Sequence, residues 1–210
     1  MARDREATRR RIFEAAVDEF ARHGIAGARV DRIAKRAGAN KQLIYAYFGS
    51  KQKLFDRVIT DQVTRFHEEV HLDPNDIPAF AGDAFDFFTD NPAVVRLGMW
   101  HSLEPAQDGQ LVEAIERSIE QRVRALRKAR SDGRIDTAIA PEELLVMIYA
   151  LARAWVATIP EYTLLDKQAT TARARHRRML VEATRRLVAP PLAAGRARGD
   201  STARRRAPRP

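Results

Sequence analysis

Four side chains between positions 41 and 47 have the chemistry of groups that contact nucleic acid. Lys41 is a donor suited to guanine O6 or N7, and Gln42 is able to pair through two hydrogen bonds with adenine. Tyr45 and Tyr47 carry hydroxyl groups that suit phosphate oxygens. We therefore predict that this segment binds double-stranded DNA.

Two short helices, separated by one glycine, are predicted to position these side chains. The first has an apolar face whose residues recur at helical spacing: Val30, Ile33, Ala34 and Ala37. Gly38 ends this helix, and Asn40 is placed to accept the first backbone N–H bonds of the second. The second helix keeps Ile44 and Phe48 for the core. This pattern indicates a helix-turn-helix, whose second helix enters the major groove.

The same segment resembles the TetR family of bacterial repressors. The resemblance rests on the motif IA-x-x-AG from Ile33 to Gly38, on the upstream helix that ends at Gly24, and on the residues that follow: Tyr45, Tyr47, Phe48 and Lys51. It covers about the first quarter of the chain and implies a helical ligand domain, a homodimer and DNA contacts by both tyrosines and Lys51. Ala28 and Arg29 stand where the family usually has a threonine or serine, so the hydroxyl contact to phosphate is missing, and Arg29 is expected to supply a phosphate contact instead.

The predicted DNA contacts divide into those that read bases and those that hold phosphates. Lys41, Gln42 and Ala46 are expected at base edges, and Leu43 is either packed on a thymine methyl or simply on the surface. The complete predicted DNA-binding set is Arg29, Asn40, Lys41, Gln42, Leu43, Tyr45, Ala46, Tyr47 and Lys51.

A second motif, His67-Glu68-Glu69-Val70-His71, spells the zinc-protease signature H-E-x-x-H. A working zinc site needs a third protein ligand and an open coordination position. No glycine-bearing extension follows, and the predicted helix ends within two residues at Asp73-Pro74. We therefore interpret the motif as solvated polar residues, and we predict no metal, no cofactor and no enzymatic activity.

The rest of the chain reads as helices near 51–70, 78–90, 92–103, 109–131, 142–159 and 169–188, with no strand. Aromatic and methionine side chains are candidates for either ordinary core or the wall of a ligand pocket. The residues assigned to the pocket are Phe66, Phe87, Phe88, Met99, Trp100, His101, Met147 and Trp155.

The helix over 142–159 is apolar nearly all round, so it requires burial on more than one side. With the apolar face of the last helix it is predicted to form a four-helix dimer interface, as the family uses; packing within the protomer is the alternative. The residues assigned to this interface are Ala150, Ala154, Ala157, Met179, Leu180, Ala183 and Leu187.

Charge is unevenly distributed along the 210 residues, whose net charge is +9. Residues 1–51 carry +6, residues 52–195 carry −2, and residues 196–210 carry +5 from six arginines and Asp200. A basic motif segment beside an acidic middle is typical of nucleic-acid binding. With no cysteine and no long apolar run, the chain is predicted to be soluble and cytoplasmic.

Together these patterns predict an all-α protein in three parts. Residues 1–51 form a three-helix DNA-binding head, residues 52–189 form a helical ligand-sensing and dimerisation domain, and 190–210 form a disordered Arg-rich tail. The predicted function is a homodimeric repressor of a palindromic operator, released by a small apolar or amphipathic effector. The alternatives are a DNA-binding protein that has no effector and, through H-E-x-x-H, a zinc enzyme.

Overall fold

Helices make up all of the regular structure in the described residues, 2–103, 109–135, 138–156 and 169–189, of the computed structural model. They confirm the all-α prediction. In chain order they are α1 (Ala2–Gly27), α2 (Val30–Ala37), α3 (Lys41–Phe48), α4 (Lys51–Glu69), α5 (Ile77–Asp90), α6 (Pro92–Leu103), α7 (Gly109–Ser131), α8 (Pro141–Arg153) and α9 (Ala169–Val188). Within the described residues, none of these helices is long and apolar enough to cross a membrane.

The ends of the short head helices are fixed by the predicted capping residues. Gly38 adopts the left-handed conformation with φ 61°, which ends α2. The Asn40 side chain accepts a 2.8 Å bond from the backbone N of Leu43 and so begins α3. Ser50 does the same for α4, accepting 3.1 Å from the N of Lys53. Local chemistry therefore sets the angle at which α3 leaves α2.

Two helix predictions differ from the observed elements. The first helix, predicted to end at Gly24, breaks there, where φ is 62° and ψ is −178°, but α1 continues beyond the break to Gly27. The helix predicted over 142–159 ends at Arg153. After it the backbone tightens into turns, with the N–H of Ala154 bonded to Leu151 O and that of Val156 to Arg153 O. Residues 157–159 lie outside the described part of the chain.

Hydrophobic side chains gather into two cores, one for the head and one for the body. The head core joins α1, α2 and α3 to the first half of α4. The body core is built from α5, α7, α8 and α9. Two helices supply side chains to both cores. In α4, Ile59 packs in the head and Phe66 in the body, and in α6, Leu97 packs in the head and Val95 in the body.

Candidate DNA-binding surface and ligand cavity

Helix α3 has one face in the head core and one face in solvent. Ile44 is 1% exposed and anchors the inner face. The outer face carries exposed residues that were predicted to contact DNA: Lys41, Gln42, Tyr45 and Ala46. One ridge of a short, capped helix thus presents a cation, an amide, a phenol and a methyl group, which suits the major groove.

Two other predicted contacts of α3 lie partly inside the head. Leu43 and Tyr47 are half-buried and pack against the head core. The ring of Tyr47 meets that of Phe48 edge-on, with centroids 6.3 Å apart. Leu43 therefore contributes packing to the head, and the packed ring of Tyr47 fixes where its hydroxyl lies.

Lys41 already has a partner in the free protein. Its Nζ lies 3.0 Å from Oδ1 of Asp31 on α2, and both side chains are largely exposed. The hydrogen bond and charge of Asp31 raise the pKa of Lys41. Because this ion pair is at the surface, it holds Lys41 only weakly, and a phosphate or base acceptor can take the Asp31 position.

A buried carboxylate, which sequence patterns did not reveal, holds α1 against α2. Glu19 is 8% exposed and accepts bonds from Nε of Arg32 at 2.7 Å and from the backbone N of Arg29 at 2.9 Å. Burial alone would raise the pKa of Glu19, but these bonds outweigh it and lower the pKa. A charged carboxylate in this position fixes the start of α2.

The start of α2 also shows the consequence of the missing hydroxyl. Arg29 occupies the N-cap position, and its side chain forms no capping hydrogen bond; the side chain is exposed. Lys51 donates from Nζ to Ala28 O at 3.3 Å, which ties the beginning of α4 to the turn before α2. Asn40 acts as the cap of α3 through its side-chain oxygen.

A cavity of about 220 Å³ lies between the head and the body. Helices α4, α6, α7 and α8 and Phe88 of α5 line it, and most of its wall is aliphatic or aromatic. Of the eight residues assigned to a pocket, Phe66 and Phe88 line this cavity, and their rings stack with centroids 4.8 Å apart. Such an apolar cavity with a few polar groups is typical of a small-molecule site.

Three of the other assigned residues lie in α6 or behind the cavity wall. Phe87 is buried in the body core, edge-on to Phe66. Met99 is exposed. Trp100 packs over Gly24 of α1, so that a Cβ at Gly24 would lie 2.7 Å from Trp100 Cε3.

The last three assigned residues are also outside the cavity lining. His101 is half-buried near the end of α6. Met147 lies on the outer side of α8. Trp155 stacks on His176, with centroids 4.6 Å apart, and meets Phe85 edge-on. The structure therefore does not bring the eight residues together. Their spacing along the chain did not show which side of each helix faces the cavity, so the prediction grouped residues that lie apart.

The cavity contains a buried cation that sequence patterns did not assign. Arg122 of α7 is 3% exposed and lines the cavity. Burial lowers its pKa, and contact with Tyr149 opposes that shift in part. A signal was present, because Arg122 falls three residues after Ile119 and four before Leu126, inside the apolar stripe of the helix. Because α7 carries several other arginines, Arg122 was not distinguished from them in the sequence.

An apolar groove runs along the outer sides of α8 and α9, with a volume of about 780 Å³. Five residues assigned to the dimer interface or the pocket line it: Met147, Ala150, Met179, Ala183 and Leu187. Leu180, in contrast, is 1% exposed and belongs to the core of its own protomer. Ala154 is exposed beyond the end of α8, and Ala157 lies outside the described residues.

The H-E-x-x-H segment is engaged in contacts with α7. His67 lies 2.8 Å from Gln121 Oε1 through Nε2 and 3.1 Å from Ser118 Oγ through Nδ1. His71 is exposed beyond the end of α4. Among the residues that the structure describes, no three histidine or carboxylate side chains are placed to hold a metal ion.

The α2–α3 unit is capped and has a polar outer ridge, and it is joined to a helical body that contains a cavity. This combination is typical of helix-turn-helix regulators. A model described as "Bacterial regulatory proteins, tetR family" matches residues 12–58, and one described as "Tetracyclin repressor-like, C-terminal domain" matches residues 76–186. The chain therefore belongs to the TetR family of bacterial transcriptional regulators.

Individual relatives agree with this assignment. The chain is 43% identical over 162 residues to the HTH-type transcriptional repressor SCO4008 of Streptomyces coelicolor, which covers 76% of this chain and 83% of that protein. It is 39% identical over 67 residues to the repressor NicS of Pseudomonas putida, covering 32% of each. The solved structure of SCO4942 from Streptomyces coelicolor matches with a TM-score of 0.78 at 38% identity, covering 88% of this chain and 99% of that one.

Proposed function

We propose that this protein is a homodimeric repressor that binds a palindromic operator through α3 and leaves it when a small molecule fills the cavity. The observation that carries the proposal is the outer ridge of α3, where Lys41, Gln42 and Tyr45 are exposed on a helix whose other face is anchored by Ile44. Repression is supported by the similarity to SCO4008, a transcriptional repressor to which the chain is 43% identical.

Dimerisation supplies the geometry for a palindrome. Two recognition helices reach successive major grooves only when they are about 34–36 Å apart. The groove along α8 and α9 offers exposed apolar side chains, including Met147 and Met179, at a surface away from the head core. A second copy packed there by a two-fold axis would bury both grooves at once and set the separation of the heads.

Coupling between effector and DNA is proposed to run through the two helices that belong to both cores. Ile59 of α4 and Leu97 of α6 line the cavity and also pack in the head core. A molecule that separates these helices from α7 must move side chains on which the head rests. The effector then acts through its difference in affinity for the DNA-bound and released conformations.

Selection of genomic DNA fragments by the purified protein tests the DNA-binding part. We expect an inverted-repeat operator, with base preferences that change in Lys41→Ala and Gln42→Ala. Tyr47→Phe removes only a hydroxyl and keeps the packed ring, so it should weaken binding to all sequences alike, because phosphate contacts do not read bases. Lys128→Ala, on the exposed surface of α7, is the matched control.

Two results would contradict the assignment of α3. One is a Tyr47→Phe variant with altered base preference beside Lys41 and Gln42 variants with none. The other is a wild-type protein that selects no sequence at all. A reporter under the selected operator then separates repression from activation, since loss of a repressor raises expression.

A further inference from the structure

Resting on the proposed function, the polar groups of the cavity identify the chemical class of its ligand. We propose that the cavity binds a small organic anion, with one carboxylate on an apolar body, and that Arg122 holds the carboxylate.

Among the described residues, the charged side chains that line the cavity are all positive. Arg122 and Arg153 line it, and none of the described lining residues is an aspartate or glutamate. Among the described residues, no carboxylate lies within 4.0 Å of Arg122, although the structure pairs many of the other arginines with acids. Burying a guanidinium without a counter-ion costs free energy. An anion that enters the cavity is therefore stabilised by this unneutralised charge.

Within the described part of the chain, the hydrogen bonds of Arg122 go to neutral oxygens. Nη1 donates to Tyr149 Oη at 2.8 Å and to Ser118 Oγ at 3.3 Å, and Nη2 donates to Val70 O at 2.8 Å and Phe66 O at 3.5 Å. The two hydroxyls beside Nη1 line the cavity as well. A carboxylate there would accept from the guanidinium and from both hydroxyls, since each hydroxyl is also a donor.

The remaining wall suits an apolar body. Aliphatic side chains and the stacked rings of Phe66 and Phe88 make up most of it, with the amide of Gln62 as a further polar group. The volume of about 220 Å³ is below the range of about 300–1,000 Å³ for drug-sized ligands. A single ring or a short alkyl chain beside the carboxylate is therefore the expected size.

Arg122 also connects the ligand to the DNA-binding head. Its bonds to Phe66 O and Val70 O satisfy carbonyls at the end of α4, the helix that carries the head. A carboxylate that draws the guanidinium into the cavity weakens these bonds. The same side chain then recognises the anion and loosens the end of α4, which explains how so small a ligand acts on a distant surface.

The test compares matched probes that differ only in charge: 3-phenylpropanoate, 3-phenylpropanamide and 3-phenylpropylamine, with hexanoate and hexanamide as an alkyl pair. Binding to the full-length protein is measured by calorimetry without DNA. We expect each acid to bind at least about tenfold more tightly than its amide, and the amine not to bind, because a charge-assisted pair in a buried site is worth more than a neutral bond.

Variants then assign the preference to a residue. Arg122→Gln should remove the preference for acid over amide, and Arg122→Lys should retain it at lower affinity. Arg124→Gln, an exposed arginine on the same helix, should leave binding unchanged. Thermal unfolding shows whether each variant is folded. If both Arg122 variants fail to fold, the order of the probe affinities for the wild-type protein still decides the ligand class.

Amides that bind as tightly as the acids, or an amine that binds best, would overturn the proposal and leave Arg122 with the structural role of capping α4. Failure of either acid to bind would overturn it too. A protein that discriminates the probes but selects no operator would instead count against the proposed function, so the two failures are distinguishable.

Discussion

Lys41, which we propose to read operator bases, forms an ion pair with Asp31 in the free protein. Its partner Asp31 lies on α2, ten positions earlier, and their 3.0 Å contact forms only because the Gly38 turn brings the two helices together. Asp31 places one negative charge beside the surface that must approach phosphates. We therefore expect this carboxylate to oppose DNA binding, while the exposed ion pair holds Lys41 only weakly.

We predict that Asp31→Asn raises operator affinity several-fold at low salt. Loss of the carboxylate frees Lys41 and removes a charge that repels DNA, so the salt dependence should steepen by about one counterion. Fluorescence anisotropy over a salt series measures both quantities. Glu120→Gln, an exposed acid on α7, is the control and should change neither. Weaker binding in Asp31→Asn would mean that Asp31 orients Lys41 for base contact rather than competing for it.

Helix α6 joins the cavity to the head at a point where α1 is broken. Trp100 packs on Gly24, whose φ of 62° and ψ of −178° lie in a region that essentially only glycine adopts. Absence of a Cβ at this position lets the indole approach the backbone of α1. The contact thus needs glycine for two separate reasons, conformation and space.

We predict that Gly24→Ala destabilises the protein by about 1–3 kcal/mol from backbone strain alone, with a further cost from displacing the Trp100 ring. Trp100→Leu should relieve the displacement but not the strain, so the double variant should lose less than the sum of the two singles. Chemical denaturation of the wild type, both single variants and the double variant measures the four free energies of unfolding. Gly27→Ala, which meets only His23 Cβ at 3.4 Å, is the near-neutral control. Strict additivity would show that Trp100 and Gly24 are not coupled.

How well each element can be predicted from sequence depends on how far apart in the chain its contacting residues lie. Capping and turn residues act over a few positions, so Gly38 and Asn40 were identified from sequence, and the outer ridge of α3 followed from the spacing of its buried residues. The cavity depends on side chains from five helices, α4 to α8, many of which are far apart in the chain. Phe66 and Phe88, which were predicted to bind a ligand, do line this cavity, but the contacts of Arg122 and Trp100 follow from tertiary packing.

At the scale of the whole molecule, charge pairs and apolar surface divide α9 into two sides. Arg173 and Arg177 pair with Asp90 and Asp86 of α5, each with a contact of 2.6 Å. These pairs orient α9 so that Met179, 56% exposed, lines the groove beside α8. The apolar surface left in solvent on the protomer is then available for a second copy.

We predict that Met179→Glu separates the dimer into folded monomers. The side chain is exposed in the protomer, so the fold survives, but in the dimer an unpaired charge would be buried at a cost of several kcal/mol. Analytical ultracentrifugation with circular dichroism should show a helical monomer, and operator affinity should fall because half-sites no longer act together. Met99→Glu, an exposed methionine on α6, is the matched control and should remain dimeric. Leu180 is unsuitable for this test, since its burial in the protomer confuses folding with association.

Residues 196–210 add a second source of positive charge, six arginines against Asp200, to the +6 of residues 1–51. Cations that reach phosphates release counterions from any DNA sequence alike. We predict that truncation after Pro190 lowers operator affinity and flattens its dependence on salt, while base preference stays with α3. Titrations of full-length and truncated protein over a salt series measure the two slopes. The matched control keeps the segment and replaces its six arginines by glutamine, which should behave like the truncation. If all three proteins give parallel lines, these arginines do not contact the phosphates, and arginine in this segment serves only solubility.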